Sequence, residues 1–181
     1  MMDIVFPEKN ERELAEMALK FGYDELLLVY AEQKLPEEKF EFNGIKIKTA
    51  ILNPKNPLKA RKNADILIAD KDARHYLEKT GIDIVFGLEA KAGKDFLKQR
   101  NSGLNQVLCT IAASRGKIYG FNFRDVLVSK NRPEVMGRMM QNLMLCKKYK
   151  VKTIFFSGAQ EPLEMRNHKD MDSFFGLLGR K

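Results

Sequence analysis

Histidine and cysteine are almost missing from this chain, two of each in 181 residues, and the scarcity argues against metal-dependent hydrolysis and against disulfides. A metal-dependent hydrolase needs several His and carboxylate ligands converging on one ion. His75, beside Arg74, reads as a surface residue, and His168 sits in a polar RNHKD turn; neither has a partner at ligand spacing. Cys109 and Cys146 each fall on the apolar side of an expected helix, so they read as buried thiols rather than a disulfide or metal site. No apolar run is long enough to span a bilayer, and the opening MMDIVFPEKNE lacks a basic region followed by an apolar stretch. The expectation is a cytoplasmic protein with no membrane partner. No strand end carries a Gly-rich phosphate fingerprint, and the aromatics lie mostly inside apolar runs, leaving no platform for stacking bases.

What is present is an ordinary globular composition, 44% hydrophobic and 31% charged, long enough to bury a core as one domain over 1–181. The net charge is +8, and it is unevenly divided. Residues 1–43 hold five Lys/Arg against eleven Asp/Glu, a balance of −6, and residues 44–181 hold twenty-seven against thirteen, a balance of +14. Such an excess suits a polyanion such as nucleic acid, or else a solvated face of a heat-stable protein.

Seven short apolar segments read as strands: Ile4 to Phe6, Leu26 to Tyr30, Gly44 to Leu52, Ile66 to Ala69, Ile84 to Phe86, Ile118 to Phe121 and Thr153 to Phe156. The third alternates Ile45 and Ile47 with Lys46 and Lys48, which suggests an edge or half-exposed strand. Between them lie helices: one started by Pro7, with Glu8, Glu11 and Glu13 in its first turn; a short basic one from Leu58 to Asn63; Ala73 to Lys79; Leu104 to Ser114; Pro133 to Tyr149; and Met171 to Leu178. The Met-rich stripe of Val135, Met136, Met139, Met140, Leu143 and Cys146 reads as core, because Met fills irregular gaps. Phe174, Leu177 and Leu178 form the apolar face of the last helix, before a short basic tail. Strands alternating with helices argue an α/β parallel sheet covered on both sides, and short strands favour a closed (β/α) barrel over an open doubly wound sheet. Full barrels of this kind use eight units and about 250 residues, so this one is reduced or distorted.

In either architecture the working groups lie just past the strand C-termini, which selects Asn53, Asp70, Lys71, Arg74, Glu89, Lys91, Asn122, Arg124 and Ser157. Ser157 in FFSGA lacks the G-x-S-x-G context of a hydrolase nucleophile and reads as a hydrogen-bonding residue at the mouth. The set is dominated by cations and amides, which suits phosphate binding better than catalysis. The stretch from Gly87 to Gly103 carries Lys91, Lys94, Lys98 and Arg100 against Glu89 and Asp95. It ends in the most concentrated polar group of the chain, Arg100, Asn101, Ser102 and Asn105. Ser102 is expected to cap the following helix, whose Leu104, Val107, Leu108 and Ile111 would face the core. Free amide groups beside a guanidinium suit a phosphate, while the same residues can equally serve as a cap that satisfies neighbouring loops.

RNSGLNQVL, Arg100 to Leu108, with IYGFNF, Ile118 to Phe123, and FFSGA, Phe155 to Ala159, resembles protein component 3 of archaeal ribonuclease P. That family is homologous to the eukaryotic thirty-kilodalton subunit shared by ribonucleases P and MRP. The resemblance covers most of the chain. It implies a distorted TIM-like barrel of about seven mostly parallel strands, acting as a non-catalytic subunit of the ribonucleoprotein that removes the 5′ leader of precursor tRNA. The RNA is then the catalytic component and the user of Mg2+, with no cofactor bound by this chain. Implied partners are the ribonuclease P RNA, the component 2 subunit in a heterodimer or heterotetramer, the other protein subunits, and precursor tRNA through the holoenzyme. Carried over by motif, Arg100, Asn101, Ser102 and Asn105 are the expected RNA or partner contacts; Arg74, Lys91, Arg124 and Arg138 join them on charge and position. Because the family's barrel is related to metal-dependent phosphoesterases, a free-standing phosphoesterase is the alternative.

Overall fold

A computed structural model describes residues 1–36, 38–78, 81–91 and 93–179. The expected end of the third helix at Lys79 and the basic tail at 180–181 lie outside the described residues. Seven parallel strands follow one another in sequence order around a single sheet: β1 (Met2–Val5), β2 (Glu25–Ala31), β3 (Lys46–Leu52), β4 (Ile66–Ala69), β5 (Ile84–Phe86), β6 (Ile118–Asn122) and β7 (Lys152–Phe156). The sheet curls until its two edges meet. Phe6 N donates to the Ala159 carbonyl at 2.8 Å and Gly158 N to the Ile4 carbonyl at 3.1 Å. A buried carboxylate fills the rest of the seam, Asp3 accepting from Ser157 N at 2.7 Å and Ser157 Oγ at 2.6 Å. Burial pushes Asp3 up to about 6 against the pull of those Ser157 bonds. The result is the reduced barrel expected, with seven strands instead of eight.

Alternation puts every second residue inside the barrel, where Ile4, Leu27, Val29, Ala50, Ile68, Ile84, Phe86 and Phe156 pack together. Gly120 faces this interior because a Cβ there would stand 2.8 Å from the Phe156 ring and 3.0 Å from Phe86 Cβ. The other face of the sheet packs on the helices. Val5, Leu26 and Leu28 meet Leu14, Ala15 and Ala18 of α1 (Glu11–Lys20). A larger core joins β4 to β7 with α2 (Pro57–Ala60), α3 (Ala73–Glu78), α5 (Gln106–Ser114), α7 (Arg132–Tyr149) and α8 (His168–Leu178). Phe155 of β7 stacks on Phe175 of α8 with centroids 4.4 Å apart. The longest helix, α7, also touches the short α4 (Leu88–Lys91) and α6 (Phe123–Val128), so it braces one whole flank.

Several local readings change for physical reasons. Pro7 does not start α1; Lys9 takes a left-handed φ of 68°, and Asn10 Oδ1 accepts from Glu8 N, so 7–10 is a turn and only Glu11 and Glu13 lie in the acidic first turn. β3 is no edge strand, since it pairs with β2 throughout and with β4 over Ala50–Leu52, but its first half is half-exposed as the alternation suggests; there Lys46 and Lys48 both reach Glu25 on β2, at 3.5 and 2.5 Å. The basic helix is short, Pro57–Ala60, with Arg61 turned to Asp83. Ser102 is not the cap of α5: Asn105 is, its Oδ1 accepting from Leu108 N, and that moves Val107 to the outside at 58% exposure. His168 lies in α8 rather than in a turn, because Asn167 caps the helix and starts it at His168, three residues before Met171, and Leu177 ends exposed.

Candidate functional site

Enzymes on this kind of barrel work at the C-terminal mouth, and here the mouth is closed by side chains that bind one another. Asn53 and Asp70 exchange two bonds, Nδ2 to Oδ1 at 2.7 Å and Asp70 N to Asn53 Oδ1 at 3.1 Å, and Lys91 Nζ forms an ion pair with Asp70 Oδ2. Asn122 donates to Asp125 at 3.0 Å. Burial pushes Asp125 up to about 6, with Lys91 and Arg124 pulling down and Asp70 pushing up. Arg124 Nε pairs with Glu164 Oε2 at 2.8 Å; against the desolvation that burial imposes, this guanidinium and Gln160 N hold the Glu164 carboxyl below its usual value. Among the described residues, no three His, Cys, Asp or Glu side chains are gathered closely enough to hold a metal ion. His168 instead pairs with Asp172, and His75 stands edge-on to Tyr76.

Not every expected rim residue is at the rim. Ser157 is turned outward to the seam with Asp3, and Glu89 is completely buried. Arg74 stands on the outer surface in an i,i+4 pair with Glu78. Lys71 is exposed.

The concentrated polar motif belongs to a second construction, a dock between the long 88–105 segment and α7. Arg138, 3% exposed, reaches from α7 into that segment. Its Nε donates to Asp95 Oδ1 at 2.8 Å, Nη1 to the Glu89 carbonyl at 3.1 Å, and Nη2 to the Gly93 carbonyl and to Glu134. Asp95 also accepts from Asn101 N at 2.8 Å, and the Arg138 bond first and this one second hold its carboxyl below the usual range. One turn further along α7, Gln141 Nε2 donates to the Ser102 hydroxyl at 2.8 Å and Asn142 Nδ2 to the Ser102 carbonyl at 2.8 Å. Asn142 Nδ2 also meets Glu89 Oε1 at 2.7 Å, and Tyr119 donates its hydroxyl to the same oxygen at 3.0 Å. Burial pushes Glu89 up to about 7 despite these donors. Glu89 Oε2 and Asn142 Oδ1 are buried without a hydrogen-bond partner; both are acceptors, so the pocket favours a neutral carboxyl, whose proton adds a donor.

Gly103 completes the dock. It takes a left-handed φ of 80°, and a Cβ there would stand 2.5 Å from Leu88 Cβ. Cys109 on α5 and Cys146 on α7 are both buried and free.

The structure therefore divides the expected contact set. Ser102 and Arg138 are buried and engaged in the dock, so they present no surface to a partner; the charge that brought Arg138 to notice serves the loop instead. Arg100, Asn105, Arg74 and Lys91 are exposed, and Asn101 and Arg124 are partly so. Tyr119, Gln141 and Asn142 were missed. The signal for the last two was present: a Gln-Asn pair amid the Met-rich stripe of an 18-residue helix, where an amide on the inner face needs a buried partner.

No family model matches the chain. Among relatives, it is 30% identical to ribonuclease P protein component 3 of Methanosarcina barkeri, over 88% of this chain and 71% of the relative. The protein of the same name from Methanosarcina mazei is 28% identical over 92% of this chain and 74% of its own. Among solved structures, a chain of archaeal ribonuclease P with mature tRNA superposes with a TM-score of 0.77 at 17% identity, covering 99% of this chain and 83% of that one. Histidinol phosphate phosphatase from Lactococcus lactis, solved with zinc, histidinol and phosphate, gives a TM-score of 0.65 at 13% identity, over 97% and 93%.

Proposed function

We propose that this chain, which belongs to the ribonuclease P protein component 3 family, works as a non-catalytic protein subunit of ribonuclease P. In that reading it assists a catalytic RNA in removing the 5′ leader of precursor tRNA, and the Mg2+ of the reaction is held by the RNA. The observation that carries the proposal is kinship along nearly the whole length with proteins of that name. The geometry supports it. A phosphoesterase mouth needs unpaired ligands aimed at metal and phosphate, and this mouth spends Asp70, Asp125 and Glu164 on Lys91, Asn122 and Arg124.

Exposed Arg100, Asn105, Arg74 and Lys91, and partly exposed Asn101 and Arg124, are the proposed contacts for RNA or for a partner protein. Ser102 and Arg138 contribute by holding the segment that carries Arg100. The partners are the ribonuclease P RNA, the component 2 subunit and the remaining protein subunits, in the cytoplasm. Reconstitution of the particle with and without this chain tests the reading: omission should lower cleavage of precursor tRNA, and equal cleavage would refute it. The purified chain with Mg2+, Mn2+ or Zn2+ should not hydrolyse RNA or p-nitrophenyl phosphate, and turnover abolished by EDTA would favour the free-standing phosphoesterase.

A further inference from the structure

The inner side of α7 is fixed by Val135, Met139, Asn142 and Cys146, all buried, yet its outer side is unfilled. Gly137 opens that side. A Cβ at this position would lie 2.0 Å from Arg100 Nη1, so only glycine lets the guanidinium rest on the helix backbone. From there a groove of about 500 Å³ runs past Met140, Gln141, Met144 and Leu145 to Lys148. On the far side of Met144, a second groove of about 510 Å³ continues over Leu143 to Val151 and Thr153 and again includes Lys148. Met144, 52% exposed, stands between them. Gly137 to Lys148 is about three helical turns, a span of roughly 16 Å at 1.5 Å per residue.

The floor of this trough is methyl and thioether, and among the described residues its charged lining is basic only: Arg100, Lys147 and Lys148. We propose that this face of α7 seats an amphipathic helix of another protein, whose apolar stripe lies on Met140, Met144 and Leu145 and whose flanking carboxylates meet Arg100 and Lys148. Methionine suits such a seat because its flexible, polarizable side chain adapts to the shape laid against it. The cations at the two ends fix direction and exclude basic partners. A nucleic acid backbone does not fit as well, since thioether and methyl groups offer a phosphate nothing to replace its water. A second copy does not fit either. The acidic part of this chain is residues 1–43, and α1 within it exposes Leu19 as its sole large apolar side chain.

The proposal rests on the subunit reading, because the partner is sought in the assembled particle. Met144→photo-methionine, placed in the full chain and irradiated in the reconstituted ribonuclease P particle, should cross-link to a helical segment of another protein subunit with Asp or Glu within four residues of the cross-linked position. Lys148→Glu should then weaken binding of that subunit about tenfold or more. Cross-links to RNA, to a second copy, or to nothing in a particle that contains this chain would overturn the proposal, as would unchanged affinity of Lys148→Glu. Absence of the chain from the purified particle is a different result, and it would remove the subunit reading together with the proposal.

Discussion

The barrel mouth and the dock on α7 are built from the same groups, carboxylates, amides and long cations, and differ in how far these are withdrawn from water. At the mouth Lys91 keeps 49% of its side chain exposed and Arg124 27%. In the dock Arg138 is 3% exposed and Glu89 and Asn142 fully buried. An exposed ion pair gains little because water and salt screen it, whereas a buried cation that loses its partners is left uncompensated in a poor dielectric. The ion pairs of Lys91 and Arg124 at the mouth are therefore adjustable, while the polar groups in the dock decide whether the 88–105 segment has a defined shape. The place where a barrel enzyme would work is here the weaker construction.

The largest loss is expected from Arg138→Ala. It removes the donors to Asp95, Glu134 and the Glu89 and Gly93 carbonyls at once, and should cost about 3–5 kcal/mol in urea unfolding; a loss below about 1 kcal/mol would make the dock no stronger than the mouth. Gly103→Ala comes next, at about 3–4 kcal/mol, because a left-handed alanine and a collision with Leu88 add together. Gly116→Ala is the control. It has a similar φ, 63°, with nothing within 4 Å, and should cost only about 1–2 kcal/mol. Equal losses at the two glycines would mean that the segment yields to the intruding methyl.

The dock also carries a pH dependence, through Glu89. Its carboxyl is raised from 4.5 to about 7 in the folded chain, so between these values the folded state binds the proton that the unfolded state has released. Stability from this group is then complete below about pH 4.5 and is lost as pH rises through 7, about 3 kcal/mol in all. Glu89→Gln keeps the acceptor for Tyr119 and Asn142, adds a permanent donor, and should abolish this part of the slope. A slope of the same sign remains from Asp3 and Asp125, each raised to about 6, but it fades above that pH, so the window between about pH 6 and 7 reports Glu89. An unfolding free energy measured from pH 4 to 8 with the same slope in both proteins would show that Glu89 does not hold a proton in the dock.

How much of this was legible in the sequence follows from the range of the signals. Strands announce themselves by apolar runs of local period, and all seven were placed, as was the barrel, because parallel strands need a helix between them. The two cysteines were placed correctly for the same local reason. Cap identity was not, since Ser102 and Asn105 are both good cap residues and only the contact of Ser102 with Gln141 and Asn142, about forty positions away, decides between them. Arg138 shows the limit most clearly. A lysine- and arginine-rich surface and a buried arginine clamp are indistinguishable as composition, and what separates them is the meeting of α7 with Asp95 and two backbone carbonyls.

Lys91→Ala carries the smallest expected stability effect and asks whether the mouth has any task of its own. Asp70 keeps its two bonds with Asn53 when the lysine is gone, so unfolding should change by less than about 1 kcal/mol. If the Lys91 ammonium meets a phosphate in the particle, the dependence of binding on salt should weaken by about 0.7–0.9 in the slope of log K against log salt. Arg74→Ala, on the outer face with Glu78 as its partner, is the matched comparison away from the mouth. A slope lowered by Lys91→Ala alone would assign the RNA to the mouth, and a slope lowered by Arg74→Ala alone would move it to the outer wall of the barrel. With both slopes unchanged, the exposed charge at these positions would be solvation of the surface and nothing more.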